Sequence, residues 1–324
     1  MPFASLWDRF DRLPNPSRRL QLGVAIAVVA TQALIAMTGA VVRVTGSGLG
    51  CPTWPECLPG SMFPVEHPEF DTLNQWIEYG NRLFTGIVGL IAGAAFLLAL
   101  KHFRHHRTSD RRYLRLAAAM PIGVVVQAVI GGVTVRLDLL WWTVAVHLLA
   151  STVMVWLATL LAHAVPRADT VEAPAAGGPL RTWLYAQTAV LVAVLVTGTM
   201  VTGAGPHGGD PKTPRFAVPV ETMAHVHAAT LYTFLGMLVI AGLWLRTHRP
   251  DRALWRRYFV LLGVVLAQGT IGLVQFWTGV PELLVCLHVL GAMTVIVATA
   301  SLWCGVRETG SVHRGMVAAG PDTA

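Results

Sequence analysis

Charge is scarce in this chain. Only 13% of its 324 residues are Asp, Glu, Lys or Arg, against 54% that are hydrophobic. A soluble globular domain carries about a quarter charged residues, so a water-exposed fold is excluded and a membrane protein is implied. Alternation of apolar and polar residues is missing as well. The apolar stretches are continuous, which excludes the pattern of a transmembrane barrel. No cleavable signal peptide is expected, because the first 20 residues are polar and hold Arg9, Arg12, Arg18 and Arg19. Cysteine is limited to four residues.

What is present is a set of eight apolar runs, each long enough to cross a bilayer as a helix of about 20 residues. They lie near 21–42, 80–100, 117–136, 142–164, 183–203, 227–245, 258–277 and 283–304. The net charge of +7 invites a nucleic-acid reading, but its distribution argues against one. Nineteen of the 24 basic residues fall in the N-terminus, the 101–116, 163–182 and 246–257 loops and the tail. The other side holds Arg43, Arg82, Arg136, Lys212 and Arg215. That asymmetry is the positive-inside bias, so both termini are expected in the cytoplasm and the lipid bilayer, not nucleic acid, is the partner.

One pattern occurs twice. Gln127, Gly131 and His147 return as Gln268, Gly272 and His288, each displaced by 141 positions. Thr38-Gly39 leading to Thr45-Gly46-Ser47-Gly48 is echoed by Thr197-Gly198 leading to Thr202-Gly203-Ala204-Gly205. The repetition predicts an all-α polytopic membrane protein whose eight transmembrane helices form two parallel-repeat four-helix bundles. The expected divisions are a cytoplasmic segment 1–20, an N-terminal half 21–165, a flexible cytoplasmic linker 166–181, a C-terminal half 182–305 and a fraying cytoplasmic tail 306–324.

Placed by depth, Glu78, Asn81 and Arg82 open the second span. His147 lies about one and a half turns into the fourth, His227 opens the sixth, and His288 lies near the start of the eighth. An ionisable group inside lipid needs a reason. Two histidines facing each other across a bundle supply both axial ligands of a haem, and His227 with His288 fits that role. A helix–helix hydrogen bond is the ordinary alternative for one such histidine. His225 faces elsewhere on its helix, and His102, His105 and His106 belong to a basic loop.

The first half departs from the symmetry. The position matching His227 is Asn81, which is no haem ligand, so His147 either binds a haem with an open axial position or only lines a pocket. Glu78, three residues before Asn81, shares its face and can handle protons there. Alternatively it forms an ion pair with Arg82. Cys51 and Cys57 flank Pro52-Thr53-Trp54-Pro55-Glu56 in a loop on the oxidising side, where a disulfide is expected and free thiols are the alternative. Cys286 and Cys304 are too far apart along one helix to bond and are read as packing residues.

The stretch Arg43-Val44-Thr45-Gly46-Ser47-Gly48-Leu49-Gly50-Cys51-Pro52-Thr53-Trp54-Pro55-Glu56-Cys57, followed by Glu78-Tyr79-Gly80-Asn81-Arg82, resembles the haem A synthase family. Gly-Asn-Arg suits an actinobacterial-like branch. The likeness covers about residues 20–305. It implies an oxidoreductase of the cell membrane that converts the C8 methyl of haem O to the formyl group of haem A for haem-copper oxidase assembly. It also implies a haem b between His227 and His288, the substrate haem near Glu78 and His147, and a Cys51–Cys57 disulfide. Asn81, Arg82, Gln127, His147 and Gln268 are the candidate cofactor-binding residues. His227, His288 and His147 are the candidate iron ligands, and Glu78 is the candidate catalytic residue.

Two departures from the family pattern stand out. Asn81 often is His in the family, and 203–220 has no cysteine where some relatives carry a pair. Haem O synthase and cytochrome oxidase assembly factors are the implied protein partners. The electron acceptor, the oxygen source and self-association of the chain stay open. Two rival readings are a dihaem cytochrome taking electrons from quinol, which predicts two bis-histidine sites, and a parallel-repeat transporter, which needs a broken helix such as one at Gly131-Gly132.

Overall fold

The structure is a computed structural model that describes residues 2–106, 111–166, 178–248 and 252–318. These residues hold α1 (Pro2–Arg12), α2 (Arg18–Val44), α3 (Thr72–His106), α4 (Arg112–Arg136) and α5 (Trp141–Ala164). They continue with α6 (Pro179–Ala204), α7 (Val220–His248), α8 (Arg252–Trp277) and α9 (Glu282–Ala318). From α2 to α9, each helix is long and apolar enough to cross a membrane, which matches the eight runs read from the sequence. Most of the linker, residues 167–177, and the last six residues of the tail, 319–324, lie outside the described residues.

The helices differ from the apolar runs at their ends. The second span starts at Thr72, eight residues before the run, and α7 starts at Val220, seven before. Glu78 and His227 therefore sit about two turns inside their helices and open neither. The extra turns, such as Thr72-Leu73-Asn74-Gln75, are partly polar and escape a hydropathy reading. The N-terminal segment is also helical. Arg104 makes two hydrogen bonds to the Asp11 carboxylate and Lys101 donates to the carbonyls of Phe10 and Asp11, so α1 is tied to α3. The Arg104 hydrogen bond holds the Asp11 pKa below the ordinary carboxylate value. The turn between α1 and α2 ends at Ser17, whose side chain caps α2 by accepting from the Leu20 amide.

Contacts group α2, α3, α4 and α5 into a closed ring, each helix packing on the next. The other four helices form two close hairpins, α6 with α7 and α8 with α9, which touch each other sparsely. The groups meet where α9 lies against α2 and α5, and α5 against α6. Ala36, Val155, Met293 and Ile296 fill that seam.

Both groups have one packed end. Ala25, Val28, Ala95, Ala117, Met120, Ala158 and Leu161 interdigitate in the first. Leu184, Phe234, Leu238, Leu245, Leu261 and Leu302 do so in the second. Small residues dominate the first cluster and let backbones approach closely, the usual packing currency where lipid offers no hydrophobic drive. The opposite end, which carries the 45–71 and 205–219 segments, is the more open one.

The repeat extends to a turn that has no obvious sequence signature. Asp138 and Leu139 between α4 and α5 have φ of 50° and 56°, and Gly279 and Val280 between α8 and α9 have φ of 80° and 62°. These pairs are again 141 positions apart. A left-handed Leu or Val is strained and persists only where neighbours hold it. Leu139 is buried against Gly48 and Gly209, and the Val280 carbonyl is 2.8 Å from His207 Nε2.

Candidate functional site

Asn81 and Glu78 come from α3 and His147 from α5. In the second group His227 comes from α7 and His288 from α9. Neither helix pair packs directly, so each pair of residues faces across its group. The imidazoles of His227 and His288 stand with ring centroids 6.4 Å apart and planes at 72°. An iron held between two imidazole nitrogens at about 2 Å each, with about 1 Å more to each ring centre, spans close to that distance. A glycine backs each ring. A Cβ on Gly198 would lie 3.2 Å from His227, and one on Gly272 would lie 2.9 Å from His288. The Nδ1 of His227 is 3.2 Å from Thr197 Oγ1, leaving Nε2 available. Nδ1 of His288 is buried without a partner. These features fit a haem between the two side chains. Among the described residues no trio of His, Cys, Asp or Glu converges; the histidines meet as a pair.

The first ring repeats the frame and changes one ligand. Thr38 Oγ1 donates to Asn81 Oδ1 at 2.7 Å, the place that Thr197 takes beside His227. A Cβ on Gly131 would lie 3.4 Å from His147, as Gly272 does for His288. A Cβ on Gly39, by contrast, would meet nothing within 4 Å, because Asn81 is shorter than the histidine that fills the matching space. A cavity of about 350 Å³ opens here, lined by Gln32, Arg43, Glu78, Asn81, Arg82, Gln127 and His147, among others. The sequence repeat showed the Thr-Gly doublets; their function as props for the residues at 81 and 227 emerges only in three dimensions.

This geometry gives a direct expectation. Asn81→His would find Thr38 and open Gly39 already in place. It is expected to create a second bis-histidine site, seen as added low-spin haem in the reduced absorption spectrum. A spectrum identical to wild type would show that His147 and position 81 do not share a ligand.

The glutamines act on the backbone of the histidine helices. Gln268 Nε2 donates to the His288 carbonyl at 2.7 Å. Gln127 Nε2 reaches Ser151 Oγ at 2.5 Å, and that hydroxyl donates to the His147 carbonyl at 3.0 Å. Both Oε1 atoms are buried and unpartnered. Gln127 lines the cavity. His225 is exposed, on the opposite side from His227, with its ring near Phe276.

Glu78 is buried and has both expected faces at once. It lines the cavity, and it forms the ion pair with Arg82 at 2.5 Å. Its other oxygen accepts from the Cys51 amide at 2.8 Å. Arg82 also donates to the carbonyls of Thr53, Glu56 and Cys51. Together the two side chains clamp the 51–57 loop, in which Cys51 and Cys57 are joined by a disulfide. Arg82 is thereby committed to the loop. Cys286 and Cys304 are buried in α9, as expected of packing residues.

The loop acts as a lid. Trp54 lies over Gly132, where a Cβ would come within 2.5 Å of the indole, and Arg136 donates to the Trp54 carbonyl at 2.9 Å. The 205–219 segment reaches across from the other group. The Gly48 amide donates to Gly209 O at 2.8 Å, and Phe216 stacks on Trp141 with centroids 4.5 Å apart. Arg215 ties this segment down through the carbonyls of Gly205 and Thr202. Burial lowers the Arg215 pKa from the ordinary arginine value. Gly131-Gly132 does not break α4, which runs unbroken from Arg112 to Arg136.

Comparison with known proteins identifies the family. A family model described as cytochrome oxidase assembly protein, COX15-CtaA, matches residues 23–207, more than half of the chain. A haem A synthase of Bartonella bacilliformis is 23% identical over 342 residues, covering 86% of this chain and 89% of its own. One of Bacillus cereus is 23% identical over 269 residues, covering 79% of this chain and 84% of its own. A Thermus thermophilus protein named protoheme IX farnesyltransferase is 30% identical over 337 residues; this chain spans 53% of its length. The match to a Geobacillus kaustophilus haem A synthase, at 32% identity, spans only 20% of that protein.

Proposed function

We propose, from the premise that this chain belongs to the COX15-CtaA family of cytochrome oxidase assembly proteins and is a multi-pass membrane protein, that it is a haem A synthase. It would oxidise the C8 methyl of haem O to a formyl group, a four-electron change that requires a co-substrate from outside the chain: dioxygen, or water together with an electron acceptor. The observation that carries the reading is the broken repeat. One site faces two histidines at 6.4 Å, while its counterpart pairs His147 with Asn81 around a cavity. Symmetric electron carriage calls for two complete ligand pairs. Substrate chemistry calls for one complete pair and one site with room.

In this reading His227 and His288 would hold a haem b, with Thr197 orienting the His227 ring and Gln268 the backbone at His288. A haem held there supplies one-electron transfer, which no side chain provides. The substrate haem O lies in the first-ring cavity with His147 at its iron. Trp54 and the clamped loop exclude water, and Glu78 takes up protons released as the methyl carbon is oxidised. The basic loops keep the packed end and both termini in the cytoplasm, and the lid lies outside the cell membrane. The Thermus relative named for farnesylating protohaem IX supports a haem O synthase as the partner that delivers the substrate.

A transporter of parallel repeats is disfavoured by the continuous α4. The test is conversion. Purified protein given haem O should yield haem A by chromatography and contain one tightly held low-spin haem. Protein that carries two equivalent low-spin haems and leaves haem O unchanged is a cytochrome, and protein without haem is neither.

A further inference from the structure

Arg43 is left without a task by the reading above. It lies in the last turn of α2, and its half-buried side chain lines the same cavity as Glu78 and His147. Among the described residues no carboxylate lies within ion-pair distance of it, and its guanidinium makes no hydrogen bond to the protein. The titratable groups that bear on it are Arg215, a like charge, and the buried thiol of Cys286, which is not a carboxylate or other fixed anion. The other arginines of this end are engaged. Arg82 holds Glu78 and three carbonyls, Arg136 holds Trp54, and Arg215 holds Gly205 and Thr202.

A guanidinium has five donors and no acceptor. Facing a secluded cavity with no anion of its own, it is costly unless an anion arrives with the ligand. The cavity supplies none, because Glu78 is paired with Arg82. The cavity lining on α2 runs from Gln32 to Arg43, about 16 Å along the helix axis. Arg43 is at the lid end of that run, and apolar residues such as Ile35, Ala36 and Ala40 occupy the middle. An occupant must therefore be amphipathic, with its acid groups at one edge.

We propose that Arg43 anchors the carboxylate edge of a porphyrin dicarboxylate in the first-ring cavity. The inference rests on the proposed function, which puts a haem there, and adds which end of that haem faces the lid. A guanidinium fork grips a carboxylate through two parallel hydrogen bonds, fixing direction as well as adding affinity. The opposite, apolar edge then points along α2 toward the packed end.

The experiment uses the full-length protein carrying its resident haem, with haemin and haemin dimethyl ester as the probes. Wild type is expected to bind haemin about tenfold or more tightly than the diester. Arg43→Gln should weaken haemin alone, bringing the ratio close to one, and Arg43→Lys should restore part of it. Elution as a single species with an unchanged resident-haem spectrum establishes that the variants are folded. Equal binding of both probes by wild type overturns the anchor, as does a ratio that survives in Arg43→Gln. Loss of the resident haem with that ratio intact assigns Arg43 to the other porphyrin and also overturns it. If neither probe binds beyond the resident haem, the proposed function fails along with the anchor; binding without discrimination leaves the function standing.

Discussion

Replacing His288 with alanine is expected to abolish the low-spin haem spectrum of the purified protein. His227→Ala should do the same. The ring centroids are 6.4 Å apart, and each ring packs against a glycine at which a Cβ would crowd it. No neighbouring side chain replaces either one, since His225 points away and is exposed. Loss of an axial ligand should reduce haem retention by more than the roughly 10–100-fold that loss of a mere supporting partner costs at a metal site. His147→Ala is the contrast: it should leave the low-spin spectrum intact and impair binding of added haem O. Unchanged bis-histidine spectra in both His227→Ala and His288→Ala would remove the assignment. Thermal unfolding should be followed in parallel, because the packed ends lie away from both rings and should keep the apo-variants folded.

Glu78→Gln is expected to leave that spectrum in place while haem A formation from haem O falls by about a hundredfold or more, the usual worth of a positioned acid or base. The variant keeps the shape and removes the titratable group. A structural cost is also expected, since Arg82 loses its ion pair. Breaking a buried pair can cost about 3–5 kcal/mol. The cost here should fall below that range, because three carbonyls still accept from Arg82. Melting temperature and turnover therefore separate the two roles. A lowered melting point with wild-type turnover would make Glu78 a clamp for the lid and nothing more.

Much of this was readable in the chain before its fold. Continuous apolar runs are a strong signal, because lipid leaves the backbone no partner except itself, and all eight became helices. The 141-residue displacement likewise points to Gln127, Gly131 and His147 with their echoes: Gly131 backs His147 as Gly272 backs His288, while Gln268 reaches the His288 carbonyl directly and Gln127 reaches that of His147 through Ser151. The polar first turns of α3 and α7 were invisible, since hydropathy measures what lipid touches and those turns lie at its edge. The helix α1 escapes a hydropathy reading because a short segment with two Asp and two Arg has no continuous apolar run to reveal it. The left-handed Leu139 and Val280 escaped for a deeper reason: nothing in those residue types favours that conformation, and only the loops packed around them enforce it. Arg43 could be read by charge alone as a topology marker; its isolation is a property of what surrounds it.

The separation of a packed end from an open one bears on how such a chain changes over generations. Residues such as Ala117, Leu161, Leu261 and Leu302 are nearly or fully buried, and substitutions among them act on folding. Position 81 borders empty space beside Gly39, so its side chain can change length without opening a hole in the core. After a duplication, one copy of a site can therefore drift away from its ancestor's ligand set while the shared scaffold keeps its stability margin. The two halves then diverge in chemistry, each within its own group of four helices.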